Sequence, residues 1–160
     1  MTSISGLPAH ALLVHFIVVL APLTAVLTTL CAVWPQARKR LAWLVLGLAV
    51  VTVVLTPLTT DAGEWLEHQV GPSPQVHEHA ELGDTMIYFA VALLVAAALV
   101  AVVHAREVRG HSVSRGVVWA IAAMVVGVSM ATTVQVYRIG DSGARATWGD
   151  QMSALAPTHP

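Results

Sequence analysis

Four long apolar stretches, residues 7–33, 41–60, 85–104 and 117–137, leave this chain few ways to fold. A hydrocarbon layer of about 30 Å is crossed by roughly 20 apolar residues of helix. A single stretch of that kind satisfies its own N–H and C=O groups in lipid only as a helix. Charged residues make up 11% of the 160, whereas a soluble domain carries about a quarter. The expected fold is therefore all-α. It is a four-transmembrane-helix bundle in one integral-membrane domain, residues 1–160, with an extended helical hairpin between the second and third helices.

The charges are segregated. Six of the eight basic residues fall in two short segments, Arg38-Lys39-Arg40 and the stretch holding Arg106, Arg109 and Arg115. Eight of the nine acids (Asp61, Glu64, Glu67, Glu78, Glu81, Asp84, Asp141 and Asp150) lie at the opposite ends of the apolar runs. Lys and Arg beside membrane-spanning segments stay in the cytoplasm. The basic segments are thus expected to be inner loops, with both termini and the longer acidic loop outside a bacterial cytoplasmic membrane. Trp34, Trp43 and Trp119 then mark the inner interface, and Trp65, Tyr88, Tyr137 and Trp148 the outer one. The first run has no Lys or Arg before it and ends in Arg38-Lys39-Arg40, which reads as a retained helix rather than a cleaved signal. The lipid bilayer is the first expected partner. A net charge of −1 excludes nucleic acid as another. Cys31 is the only cysteine, which excludes an intrachain disulfide and a cysteine-based zinc or iron–sulfur site.

Local signals divide the chain further. Pro8 suits the first turn of the first helix, with Ser5 or Gly6 as its cap. Pro22 falls inside that helix and should bend it, and Trp34-Pro35 ends it. Thr52, Thr56, Thr59 and Thr60 form one stripe; Ser129, Thr132 and Thr133 form another. Such stripes mark helix–helix contacts in a bilayer or, alternatively, a polar path. The tail from Ile139 is short and Gly-containing, and its last residues are expected to be disordered.

The candidate chemistry lies in the segment 61–84. Gly71-Pro72 stops one helix and Ser73-Pro74 supplies the N-cap and first position of the next. Asp61, Glu64 and His68 share a face on the first arm; His77, Glu81 and Asp84 share one on the second. Equal helical rise would level His68 with His77, Glu64 with Glu81 and Asp61 with Asp84. Turned inward, these groups form a carboxylate–imidazole metal site of the helical-bundle kind; turned outward, they are a solvated face.

His15 lies inside an apolar run, where an ionisable side chain faces a partner or a cavity. His10 is five residues away, about 140° around the helix, so a regular helix does not offer both to one ion. One is read as a ligand and the other as its hydrogen-bonding support, or both as neutral histidines bonded to the outer hairpin. Six of the eight histidines, His10, His15, His68, His77, His79 and His159, fall on the outer side. His104 and His111 lie on the inner side, roughly 30 Å away by helical rise. A haem b held non-covalently by His10 or His15 with His79 or His77, or a divalent metal ion, would sit near the outer interface.

The opening Gly6-Leu-Pro8-Ala-His10-Ala-Leu-Leu-Val14-His15-Phe16 resembles the bacterial membrane family called domain of unknown function 2231, as do the Thr-Pro-Leu-Thr-Thr-Asp end of helix two, His79-Ala-Glu81-Leu-Gly83, and Gly140-Asp141-Ser142-Gly143-Ala144. The resemblance covers essentially the whole chain and implies a four-helix membrane protein. Here Ala11 and Ile17 replace the two motif prolines, and Asp141 stands where related chains often carry histidine. Related domains are joined to Rieske-type or cytochrome-like modules, which implies a redox setting by association.

Three functions follow as expectations. The first is a metal or haem b protein of a membrane redox system, with a redox partner. The second is a cofactor-free structural or assembly subunit, joined to another membrane protein or to a second copy through its Ala- and Thr-rich faces. The third is a small carrier, for which helices two to four supply almost no ionisable group at mid-span. Ser142 stands in a Gly-x-Ser-Gly context but lacks the strand–turn–helix that an elbow nucleophile needs. Arg138 is expected to snorkel or to pair with Asp141.

Overall fold

A computed structural model describes the backbone of residues 3–4, 7–70 and 73–155 and the side chains of residues 12–69 and 73–148. Apart from a two-residue antiparallel ladder, β1 (Ser3–Ile4) with β2 (Leu7–Pro8), the described chain is helical. The helices are α1 (Ala9–Val33), α2 (Pro35–Val70), α3 (Pro74–Asp84), α4 (Met86–Val108) and α5 (Arg115–Leu155). Four segments are long and apolar enough to cross a membrane: Leu12–Val33, Pro35–Gln69, Pro74–Val108 and Arg115–Trp148.

Several boundaries differ from the expected ones, for physical reasons. Pro8 pairs with Ser3 in the ladder and precedes α1 rather than opening it. The expected caps Ser5 and Gly6, like Gly71 and Pro72, lie outside the described residues. Pro22 stays inside α1 and Pro57 inside α2. Arg38-Lys39-Arg40 is not a loop, because Pro35 starts α2 one residue after α1 ends and the basic triplet forms its opening turns. The stretch after Ile139 is helix to Leu155, against the expectation of a short tail. Its glycines are tolerated because α3 packs along it.

Ser73 caps α3 as its spacing predicts, its hydroxyl accepting from Val76 N at 3.3 Å. At the other end of the bundle α4 stops in a Schellman turn. The amide of Gly110 donates to Glu107 O (3.1 Å) and that of His111 to Arg106 O (3.0 Å), with Gly110 at φ 75°.

Alanines and threonines build the interior. Cys31, Val45, Ala49, Ala96, Ala97, Val100, Ala122 and Val125 form one core cluster toward the Arg38 end. Ile17, Ala21, Met86 and Val136 form a second toward the hairpin end. Thr24, Thr28, Thr52, Thr56 and Thr132 are fully or almost fully buried, and each donates its hydroxyl to the carbonyl four residues earlier. These five hydroxyls therefore find acceptors within their own helices. Ser129 and Gln135 reach between helices instead. Ser129 Oγ donates to Ala25 O at 3.1 Å, joining α5 to α1. Gln135 Nε2 donates to Thr85 Oγ1 (2.7 Å) and Leu82 O (3.2 Å), holding the α3–α4 junction against α5.

Candidate functional site

Side chains with chemical potential gather at both ends of the bundle. At the hairpin end α2, α3 and the last turns of α5 project together, and the predicted cluster is dispersed among them. Asp61, Glu64 and His68 are exposed on α2, and Glu81 and Asp84 are exposed on α3. His77 does not meet His68. Its ring approaches Glu67 across the turn (Nδ1 to Oε1 3.8 Å) and Glu81 on its own helix (Nε2 to Oε1 3.4 Å). His77 borders an open cleft with Glu67, Ser73 and Pro74. With the imidazole 70% exposed, these pairs contribute little, on the order of 0–1 kcal/mol at most.

His79 is set differently. Its Nδ1 lies 3.0 Å from Ser142 Oγ on α5, and that hydroxyl also donates to Ile139 O at 2.9 Å. With its one proton on Ile139 O, Ser142 accepts from His79 in the tautomer that carries its proton on Nδ1. The ring packs so closely on α5 that a Cβ at Gly143 would stand 3.0 Å from His79 Cε1. Ser142 is buried mid-helix, so this serine–histidine contact fastens α3 to α5 and does not form a nucleophile elbow. Asp141 pairs with Arg145 one turn on, not with Arg138.

His15 is exposed on α1, and the side chain of His10 lies outside the described residues. Among the described residues no group of three or more His, Cys, Asp or Glu side chains is arranged to hold a metal ion. The described histidines and carboxylates of the hairpin thus share one end of the fold, with His77 between Glu67 and Glu81 and His79 against α5.

The opposite end holds an arrangement that the sequence reading missed. Arg38 is buried, and its guanidinium grips Glu107 of α4 in a forked pair, Nη2 to Oε1 2.7 Å and Nε to Oε2 3.1 Å. Nη1 donates to Cys31 O (3.1 Å) and Ala32 O (3.3 Å), carbonyls left without partners where α1 ends. One side chain thereby joins α1, α2 and α4. The legible signal was Glu107, the single acid among six basic residues. One turn earlier on α4, His104 is buried with its ring edge-on to Trp43 at 6.3 Å. Its Nδ1 has no hydrogen-bond partner among the described residues.

A bundle with four helices long and apolar enough to cross a membrane defines a polytopic helical membrane protein. Residues 6–155 match the model of the family described as predicted membrane protein DUF2231, and the chain belongs to that family. Neither a curated protein nor a solved structure matches it.

The contact at Gly143 generates a paired test. A Cβ at Gly140 meets nothing within 4 Å, so Gly140→Ala should stabilise α5 by up to about 1 kcal/mol through helix propensity. Gly143→Ala makes the His79 ring give way by a few tenths of an ångström, a strain set against the same propensity gain. Unfolding measurements should place Gly143→Ala below Gly140→Ala. Equal gains would show that His79 does not rest on α5.

Proposed function

We propose that this chain is a structural and assembly subunit of the bacterial cytoplasmic membrane, with the Arg38 end in the cytoplasm and both termini outside. One observation carries the assembly reading. Gly116, Ala120, Ala123, Gly127 and Ala131, spaced by four, three, four and four residues, are all exposed on α5. They lie on the face opposite buried Val125, Ser129 and Val136. Small residues in such a row let two transmembrane backbones approach closely, where packing and weak hydrogen bonds replace the absent hydrophobic drive. Many of the alanines and threonines are buried inside the bundle. The α5 row remains outside, on the crossing helix with the smallest buried share.

The partner that fits is another transmembrane helix with a small-residue face, and the simplest is α5 of a second copy, since a two-fold pair presents the same row twice. Cysteine cross-linking in vesicles tests this in a Cys31→Ser background. Gly127→Cys should give dimer far in excess of Val95→Cys, a control at an exposed site on α4. Adding Ala123→Ile should weaken the association about 10-fold, within the 1–2 kcal/mol typical of such contacts. Equal cross-linking at Gly127 and Val95 would refute the assembly face.

A second reading, a metal or haem b protein in a membrane redox system, is favoured by one feature. His79 is oriented through Nδ1 by Ser142, as ligating histidines are oriented by an outer hydrogen bond. His10 or His15 of α1 would supply the opposing imidazole. An absorption spectrum with elemental analysis should then show a Soret band or stoichiometric metal that His79→Ala removes. A colourless, metal-free protein from cofactor-replete cells would leave the assembly reading alone.

A further inference from the structure

The two ends of the bundle differ in how their charges are used. At the hairpin end acids and bases mix, with Asp141 and Arg145 paired and His77 between two carboxylates. At the opposite end the only acid, Glu107, is consumed by Arg38. Lys39, Arg40, Arg106, Arg109 and Arg115 are all exposed there, and among the described residues none makes an ion pair or a side-chain hydrogen bond. The clasp draws α2 and α4 together, so the five cations ring one end of the molecule as an uncompensated collar.

Two further features belong to the same end. Helices α2 and α5 both begin there, at Pro35 and Arg115, and turn their amide-bearing, positive ends outward. The negative end of α1 is covered, because Arg38 takes the carbonyls of Cys31 and Ala32. Trp34, Trp43 and Trp119, each more than half exposed, surround the collar where an amphipathic ring sits at headgroup depth. Cations, helix N-termini and indoles thus share one end of the bundle, the end at which an inserted bundle would meet headgroups.

We infer that this collar is a binding surface for the phosphate headgroups of anionic phospholipids. Guanidinium groups take phosphate oxygens in forked pairs, and each Lys or Arg near an anionic leaflet adds to the attraction until salt screens it. The inference depends neither on which side faces the cytoplasm nor on the α5 assembly face.

The test uses the full chain with Trp65→Phe and Trp148→Phe, which leaves only the three collar tryptophans. It is reconstituted in vesicles of phosphatidylcholine and phosphatidylglycerol at fixed composition, with bromine on one lipid or the other in both leaflets. Brominated phosphatidylglycerol should quench collar fluorescence at least two-fold more than brominated phosphatidylcholine at equal mole fraction. That preference should fade as sodium chloride is raised. It should vanish when Lys39, Arg40, Arg106, Arg109 and Arg115 are all replaced by Gln, with Arg38 kept so that the clasp stands. Should the five-fold variant not fold, the salt titration of the parent and the two paired variants Lys39→Gln/Arg40→Gln and Arg109→Gln/Arg115→Gln decide. Equal quenching by the two lipids, or a preference that survives both salt and substitution, would overturn the inference. So would inorganic phosphate abolishing the preference where chloride of equal ionic strength does not, since that assigns the collar to a soluble phosphate ligand.

Discussion

Arg38 is the point on which the geometry of the bundle turns. A guanidinium buried to this degree is tolerable only if its donors are occupied and its charge is matched. Here Glu107 matches the charge, and the two carbonyls at the end of α1 take a further donor. The connection between α1 and α2 is a single residue, Trp34. A turn that short leaves the carbonyls of α1 facing the start of α2, where a long cationic side chain can reach them. Because Glu107 lies on α4, the same side chain fixes the third helix, and the short link between α4 and α5 carries that constraint to the fourth.

The rest of the packing uses few polar contacts between helices. Buried threonines donate their hydroxyls to their own helices, while Ser129 and Gln135 reach across to a neighbour. Alanine-rich faces allow close approach without polar assistance, and dispersion between well-packed surfaces is the main attraction available to helices in lipid. Among the described residues the buried charged or imidazole side chains are Arg38 and His104, both at one end of the bundle. Function is therefore sought on the surfaces: the row on α5, the projecting hairpin end, and the cationic end.

The sequence was informative where one physical rule dominates. Apolar length located all four crossing helices, and Ser73-Pro74 located the start of α3, because capping depends on neighbouring residues alone. It was misleading where a tertiary partner overrides local preference. Gly140, Gly143 and the polar residues around them read as a tail, yet α3 lies against them and His79 occupies the space a side chain at Gly143 would need. Helical rise levels residues along a hairpin but leaves each helix free to rotate about its axis. That rotation leaves His77 exposed and sets His79 against α5. Glu107 is the one acid among the basic residues, and spacing alone does not say which of them it meets. The α5 row went unread because small residues have the same signature whether they face the bundle interior or a neighbouring molecule.

The clasp is tested most directly by a double-mutant cycle on Arg38→Gln and Glu107→Gln, read as unfolding free energy in bilayer-like bicelles. If the pair joins three helices as described, Arg38→Gln alone should cost about 3–5 kcal/mol, since it leaves Glu107 unmatched and two carbonyls uncapped. The double variant should recover at least about 1.5 kcal/mol relative to the sum of the singles. Additive losses within about 0.5 kcal/mol would mean that the two side chains act independently, and the account of how this bundle is held together would fail.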